Sequence, residues 1–206
     1  MNNEDSILEV VNTNSYYEIS HISVDDLEDI SNFTVKRDYK TGRKRGYGLV
    51  LYLQKAALFE EEFNLARTYI IRDKETNMIA GYFSLKTGLV TEKTSLTTFD
   101  NITGIEIANL AVNETYKEAV DKNNKLDIQH LGKYFFSQFI YPLIREISKY
   151  VGVKYIYCFA LPEKSLIRHY TTMGFQRVTK RSLEKYIHRH IRPEYDRNCI
   201  FMYQEL

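Results

Sequence analysis

Apolar positions recur along this chain with two periods, and each change of period marks a new element. Residues 16–23 read as a short strand with Tyr17, Ile19 and Ile22 turned inward. Ser23 is placed to cap a helix over residues 25–30, where Asp25 and Asp26 in the first turn suit the helix dipole. Residues 47–64 put Leu49, Leu53, Ala56, Ala57 and Leu58 on one helical face, with Glu60-Glu61-Glu62 near the exit. Residues 66–73 and 78–85 are strand-like, and Lys74-Glu75-Thr76-Asn77 between them predicts a hairpin turn. Gly81, inside the second of these strands, suggests a bulge or a close backbone approach. Residues 90–103 are rich in Thr and Ser and read as a loop or irregular edge.

The run at 104–112 is almost continuously apolar and β-branched, which suits a central strand covered on both faces. A polar connection, 113–127, leads to a turn at 127–133. The longest helix then spans 131–151, with Phe136, Phe139, Ile140, Leu143, Ile144 and Ile147 at helical spacing. Pro142 inside it predicts a kink, and Gly152 a stop. A strand at 155–161 follows. Pro162 opens a helix over 163–173, and Gly174 ends it where Phe175 begins another strand. Residues 183–190 are a basic, polar stretch, and 198–203 form a last strand. The order predicts a mixed α+β domain with helices on both faces of a sheet.

Composition narrows the class. The 206 residues carry 28 Lys and Arg against 27 Asp and Glu, so no global field imposes a nucleic-acid or membrane partner. No apolar run approaches the roughly 18 residues that span a bilayer, and the polar start Met1-Asn2-Asn3-Glu4-Asp5 is unlike a signal peptide. The expectation is a cytoplasmic protein with a flexible tail over 1–14 and a single domain over 15–206. Cys158 and Cys199 both lie in apolar runs without other ligand residues nearby, which reads as two reduced core thiols. His188 and His190 alternate with Arg189 and lack acidic or Cys partners, so no metal site is expected.

The candidate chemistry concentrates between residues 104 and 175. A buried strand that feeds a turn at a helix N-terminus presents free backbone N–H groups along the helix dipole, which is a cradle for phosphate. Glu106 interrupts the apolar run, and a carboxylate there costs several kcal/mol unless it is paired or its pKa shifts. It is either a solvent-facing or ion-paired residue or a functional acid in a cleft. Lys36, Arg37, Lys40, Arg43, Lys44 and Arg45 stand against one acid, Asp38, over residues 36–46. That stretch is either a solvated loop or a guide for an anionic ligand.

At three places the sequence resembles the GNAT superfamily of acyl-CoA-dependent N-acetyltransferases. Asn109-Leu110-Ala111-Val112 looks like the "L-A-V" end of the family's central strand. Gln129-His130-Leu131-Gly132-Lys133 looks like its "G-x-G-[IL]-G-K" pyrophosphate loop, with Gly132 alone of the usual glycines. His169-Tyr170-Thr171-Thr172-Met173-Gly174-Phe175 looks like its "F-Y-x-x-x-G-F" segment, although Pro162-Glu163 replaces the Asn usual before the last helix. The resemblance implies a GNAT-like, mostly antiparallel twisted sheet of about six to seven strands with helices on both faces.

The resemblance further implies an acetyl-CoA co-substrate and no metal. Leu110, Ala111 and Val112 would pair with the pantetheine arm through their backbone, and N–H groups of His130, Leu131, Gly132, Lys133 and Tyr134 would hold the pyrophosphate. Tyr170 would protonate the leaving thiolate, and Glu106 would act as a general base through water. The acceptor is a primary amine of a small molecule or peptide. One alternative is aminoacyl-tRNA, as in the toxin branch of the family, bound through Lys36, Arg37, Lys40, Arg43, Lys44 and Arg45 and the segment 180–197. Another is a non-catalytic acyl-CoA-binding module. The family resemblance also admits a homodimer paired through the last strands.

Overall fold

A computed structural model of the chain describes residues 10–36, 46–93, 99–121, 130–178 and 199–206. Arg37, Lys40, Arg43, Lys44 and Arg45, the turn residues Asp127-Ile128-Gln129 and the segment 180–197 lie outside the described residues. Strands β1 (Val10–Thr13), β2 (Tyr17–His21), β3 (Arg67–Asp73), β4 (Ile79–Lys93), β5 (Phe99–Val112), β6 (Tyr155–Ala160), β7 (Gln176–Arg177) and β8 (Ile200–Glu205) follow the sheet order β1-β2-β3-β4-β5-β6-β8-β7. Pairs β1–β2, β2–β3, β6–β8 and β7–β8 are antiparallel, whereas β5–β6 is parallel. The fold is the mixed, mostly antiparallel α+β architecture that the sequence predicts.

The described residues divide into two compact units, Met1–Ser84 with Asn109–Leu131, and Leu85–Ala108 with Gly132–Leu206. In the first, Ser23 forms a capping box with Asp26, the reciprocal bonding that starts the turn leading into α1 (Leu27–Ser31). Helices α2 (Tyr47–Lys55) and α3 (Ala57–Glu62) replace the single helix expected over 47–64, with the break at Ala56. Of the expected stripe, Leu53 and Ala57 join Ile22, Ile30, Phe33, Ile70, Ile79, Tyr82 and Ala111 in one core cluster and Leu49 and Leu58 pack partly buried against it, while Val50, outside the expected stripe, is buried with them. Burial of these side chains, at roughly 25 cal/mol per Å² of apolar surface removed from water, is the main force holding the unit.

Three differences from the sequence reading have local causes. Val10–Thr13, expected as tail, is a strand because Val10, Asn12 and Thr13 pair with Ser20, Ile19 and Glu18. Residues 90–103, expected as a loop, instead extend β4 to Lys93 and start β5 at Phe99; threonine is β-branched and favours strand as readily as turn. The polar connection after residue 113 holds a helix, α4 (Glu114–Asp121). Asn113 starts it, since its side-chain oxygen accepts the Thr115 N–H at 3.2 Å, in the manner of an N-cap.

A buried polar chain ties α4 to the β3–β4 turn. The Tyr116 hydroxyl donates to Asp73 Oδ2 at 2.6 Å and lies 3.0 Å from the Tyr17 hydroxyl. Asp73 Oδ1 accepts the N–H groups of Glu75 and Thr76 at 2.9 and 2.8 Å. Burial alone would raise the Asp73 carboxyl, but the bond from Tyr116 and those backbone N–H groups outweigh it and hold it below its ordinary value.

In the second unit the long helix expected over 131–151 is three pieces. An α-helical turn, α5 (Leu131–Phe135), passes into a π-helical turn over Phe136–Ile140 and then into α6 (Tyr141–Ile147). Pro142 supplies the cause. It has no N–H to give the carbonyl four residues back, and the Tyr141 N–H already reaches Phe136, five residues back. The kink expected at Pro142 therefore takes the form of a wider turn just before it.

Candidate functional site

The parallel register of β5 and β6 pairs Gly104, Ile105 and Glu106 with Tyr155, Ile156 and Tyr157. Register partners in a parallel pair project to the same face, so Glu106 and Tyr157 stand side by side. The Tyr157 hydroxyl donates to Glu106 Oε2 at 3.4 Å. Glu106 is half-buried, and Tyr157 is 2% exposed. Burial pushes the Glu106 carboxyl above its ordinary value, with the charge of Lys86 and the Tyr157 hydrogen bond opposing. Burial and the Glu106 charge raise the Tyr157 phenol.

Two glycines make room for this pair. A Cβ at residue 88 would lie 1.7 Å from the Tyr157 hydroxyl, and one at residue 104 would lie 3.0 Å from its ring carbons. No side chain fits at 88 while the phenol keeps its place. The ring packs in a cluster with Val90, Phe159, Cys199 and Phe201. Sequence reasoning missed Tyr157 altogether. Its signal was Gly88, a second glycine in the strand that holds Gly81, which announces a close approach without naming the neighbour.

Tyr170 lies in the last turn of α7 (Lys164–Thr172). Its carbonyl accepts the N–H groups of Met173 and Phe175, at 3.0 and 3.1 Å, which closes the helix end. That closure requires Gly174 at φ +96°, a left-handed conformation in which a Cβ would also come within 3.1 Å of the Gln204 side chain. Phe175, buried behind this turn, meets the Tyr170 ring edge-on at 5.7 Å and the Phe136 ring at 5.4 Å. The Tyr-x-x-x-Gly-Phe spacing thus has a concrete purpose: the glycine turns the chain so that Phe175 braces Tyr170, leaving Tyr170 half-buried.

The residues expected to hold a phosphorylated arm fall as follows. Leu110, Ala111 and Val112 form the end of β5, where the Asn113 N–H bonds the Ala80 carbonyl at 2.9 Å. The parallel register with β6 ends before them, at Glu106 and Tyr157. Leu131, Gly132, Lys133 and Tyr134 lie on α5, with His130 just ahead of it. Leu131 is buried as an anchor, whereas His130 and Lys133 are exposed. Cys158 and Cys199 are buried and not joined in a disulfide. Burial drives the Cys158 thiol upward, followed by the charge of Glu106, which disfavours the thiolate. Among the described residues no group of three or more His, Cys, Asp or Glu is placed to hold a metal, and no helix is long and apolar enough to cross a membrane.

Solved structures of toxins share this fold. A tyrosine-to-phenylalanine mutant of the toxin AtaT, bound to the C-terminus of the antitoxin AtaR and acetyl-CoA, matches with a TM-score of 0.60 at 16% identity over 92% of each chain. AtaT complexed with acetyl-methionyl-tRNAfMet matches with a TM-score of 0.60 at 17% identity, over 90% of this chain and 93% of that one. A tyrosine-to-phenylalanine mutant of KacT matches with a TM-score of 0.59 at 14% identity, over 92% and 95%. No protein-family model matches the sequence, and no curated protein does.

Proposed function

We propose that this protein is an acetyl-CoA-dependent N-acetyltransferase whose acceptor is the amine of an aminoacyl-tRNA. The observation that carries the reading is the fold match across nearly the whole of both chains to a toxin holding acetyl-CoA. The acceptor is favoured over a small molecule or peptide by the match to AtaT complexed with acetyl-methionyl-tRNAfMet. Lys36, Arg37, Lys40, Arg43, Lys44 and Arg45 are the candidate phosphate contacts, and binding through them would weaken steeply with salt. By the same likeness, an antitoxin is a candidate protein partner.

In this reading the backbone of Leu110, Ala111 and Val112 receives the pantetheine arm as an added strand. The N–H groups from His130 to Tyr134 face the pyrophosphate. A neutral amine attacks the thioester carbonyl, forming the C–N bond. An α-amino group ionises near 8, so a carboxylate acting through one water suffices to take its proton. Glu106 serves there, because a pKa raised by burial makes its ionised form a stronger base near neutral pH. The C–S bond then breaks, and the departing thiolate takes the Tyr170 proton, which solvent restores. A thiol near 8.5 and a phenol near 10 make that transfer close to balanced. Holding both substrates together supplies much of the remaining acceleration.

The test is calorimetry with acetyl-CoA, followed by release of free thiol in the presence of aminoacyl-tRNAs, small amines and peptides. Wild type should bind acetyl-CoA and release thiol only with an acceptor. Tyr170→Phe should keep binding and lose about a hundredfold in kcat or more. Binding without turnover on any acceptor would instead mark a non-catalytic module, and no binding would refute the reading outright.

A further inference from the structure

We propose that Tyr157 is a positioning residue for the base, its hydroxyl anchoring Glu106 Oε2 so that Oε1 is the oxygen turned to the water that relays the amine proton. The proposal rests on the transferase reading above and adds to it a residue that neither the motifs nor the likeness to known structures supplies.

Three observations converge on it. Glu106 and Tyr157 are register partners in the parallel pair, so the two side chains are brought together by backbone pairing rather than by flexible loops. The phenol oxygen occupies space that exists only because residue 88 is glycine, 1.7 Å from where a Cβ would be. And the ring is held by T-shaped and tilted contacts with Phe159 and Phe201, at 6.1 and 5.5 Å, which fix its orientation. A phenylalanine would satisfy that aromatic packing equally well. Burying a hydroxyl there is costly unless it has a partner, and its partner is the Glu106 carboxylate. Lys86 from β4 and Tyr157 from β6 act on Glu106, and Cys158 from β6 feels its charge in turn. Tyr157 is the one whose hydroxyl donates to Oε2, at 3.4 Å. A base tied by one oxygen keeps the other in a fixed direction, which is what proton relay through a single water demands.

The experiment compares wild type, Tyr157→Phe and Gly88→Ala. The first variant removes one oxygen and keeps the ring; the second drives the hydroxyl off its place while leaving it in the chain. The carboxyl carbon of Glu106 is followed by 13C NMR across pH in the protein without substrates, its signal assigned by its loss in Glu106→Gln. Because the hydroxyl favours the ionised carboxylate, both variants should move the Glu106 midpoint to higher pH. In turnover with acetyl-CoA and the best acceptor, the acid limb of kcat should move the same way. The plateau kcat of Tyr157→Phe should fall about three- to tenfold, as for one lost hydrogen bond, while KM for acetyl-CoA stays unchanged.

A wild type that turns over while neither midpoint nor acid limb moves in Tyr157→Phe overturns the positioning role and leaves the transferase reading standing. A midpoint that rises although no acceptor is acetylated by wild type confirms the pairing but overturns both the transferase reading and the role built on it. If Gly88→Ala fails to fold, Tyr157→Phe decides alone.

Discussion

At the scale of single residues, burial raises both the Glu106 carboxyl and the Tyr157 phenol beside it. Glu106 pairs with Tyr157 in a half-buried place, and its raised pKa fixes the sign of one expectation. In the proposed mechanism Glu106 acts in its ionised form, so the rate should rise with pH through the Glu106 midpoint, at a pH above that of an ordinary glutamate. Glu106→Gln should abolish that acid limb and cost roughly a hundredfold in kcat, read from pH–rate profiles with acetyl-CoA saturating. Glu106 was visible in the sequence as the only charge in an apolar run, because an unexplained carboxylate is conspicuous there. Its neighbour was not visible. Tyr157 sits 51 positions away, and nothing in the apolar run at 155–161 distinguishes a tyrosine that packs from one that also donates.

At the scale of elements, the closing turn of α7 shows why a short motif can carry structure. Gly174→Ala meets both a left-handed backbone and the Gln204 side chain. It should cost about 1–2 kcal/mol in stability, measured by denaturant unfolding, and should lower kcat by loosening the Phe175 brace behind Tyr170. The Tyr116–Asp73 link offers a second test. Tyr116→Phe should cost about 1–3 kcal/mol, since Asp73 stays buried without that donor. The sign with pH follows from Asp73 being held low. Its contribution is present above the unfolded carboxyl value of about 4 and fades as pH falls through the lower folded value. The gap between wild type and variant should therefore narrow on acidification. Elements with strong period or clear punctuation were legible: the Ser23 cap, the hairpin at 74–77 and the Gly174 stop all stand where the sequence put them. Those that failed did so for physical reasons. Threonine serves strands as well as turns, Asn113 capped a helix too polar to stand out, and Pro142 widened a turn before itself rather than bending a single helix.

At the scale of the whole molecule, the order of elements matched the fold more securely than any single motif did. The pyrophosphate segment has one glycine, Gly132, where the resemblance would have several, yet the chain matches acetyl-CoA-bound AtaT over 92% of its length. Fold is set by the distribution of apolar positions over two hundred residues, whereas a phosphate loop depends on a handful, so the first tolerates drift that blurs the second. The near-neutral total charge likewise hides local strength, because six basic side chains between residues 36 and 45 are balanced by acids elsewhere. Replacing those six by neutral residues should weaken tRNA binding and flatten its salt dependence, while leaving acetyl-CoA affinity unchanged. The most direct test of the central claim is transfer of labelled acetyl from acetyl-CoA to purified aminoacyl-tRNA by wild type and by Tyr170→Phe. The account predicts label on the aminoacyl end with wild type, and at least about a hundredfold less with the variant. Equal labelling by both proteins, or none by wild type with any aminoacyl-tRNA, would contradict it.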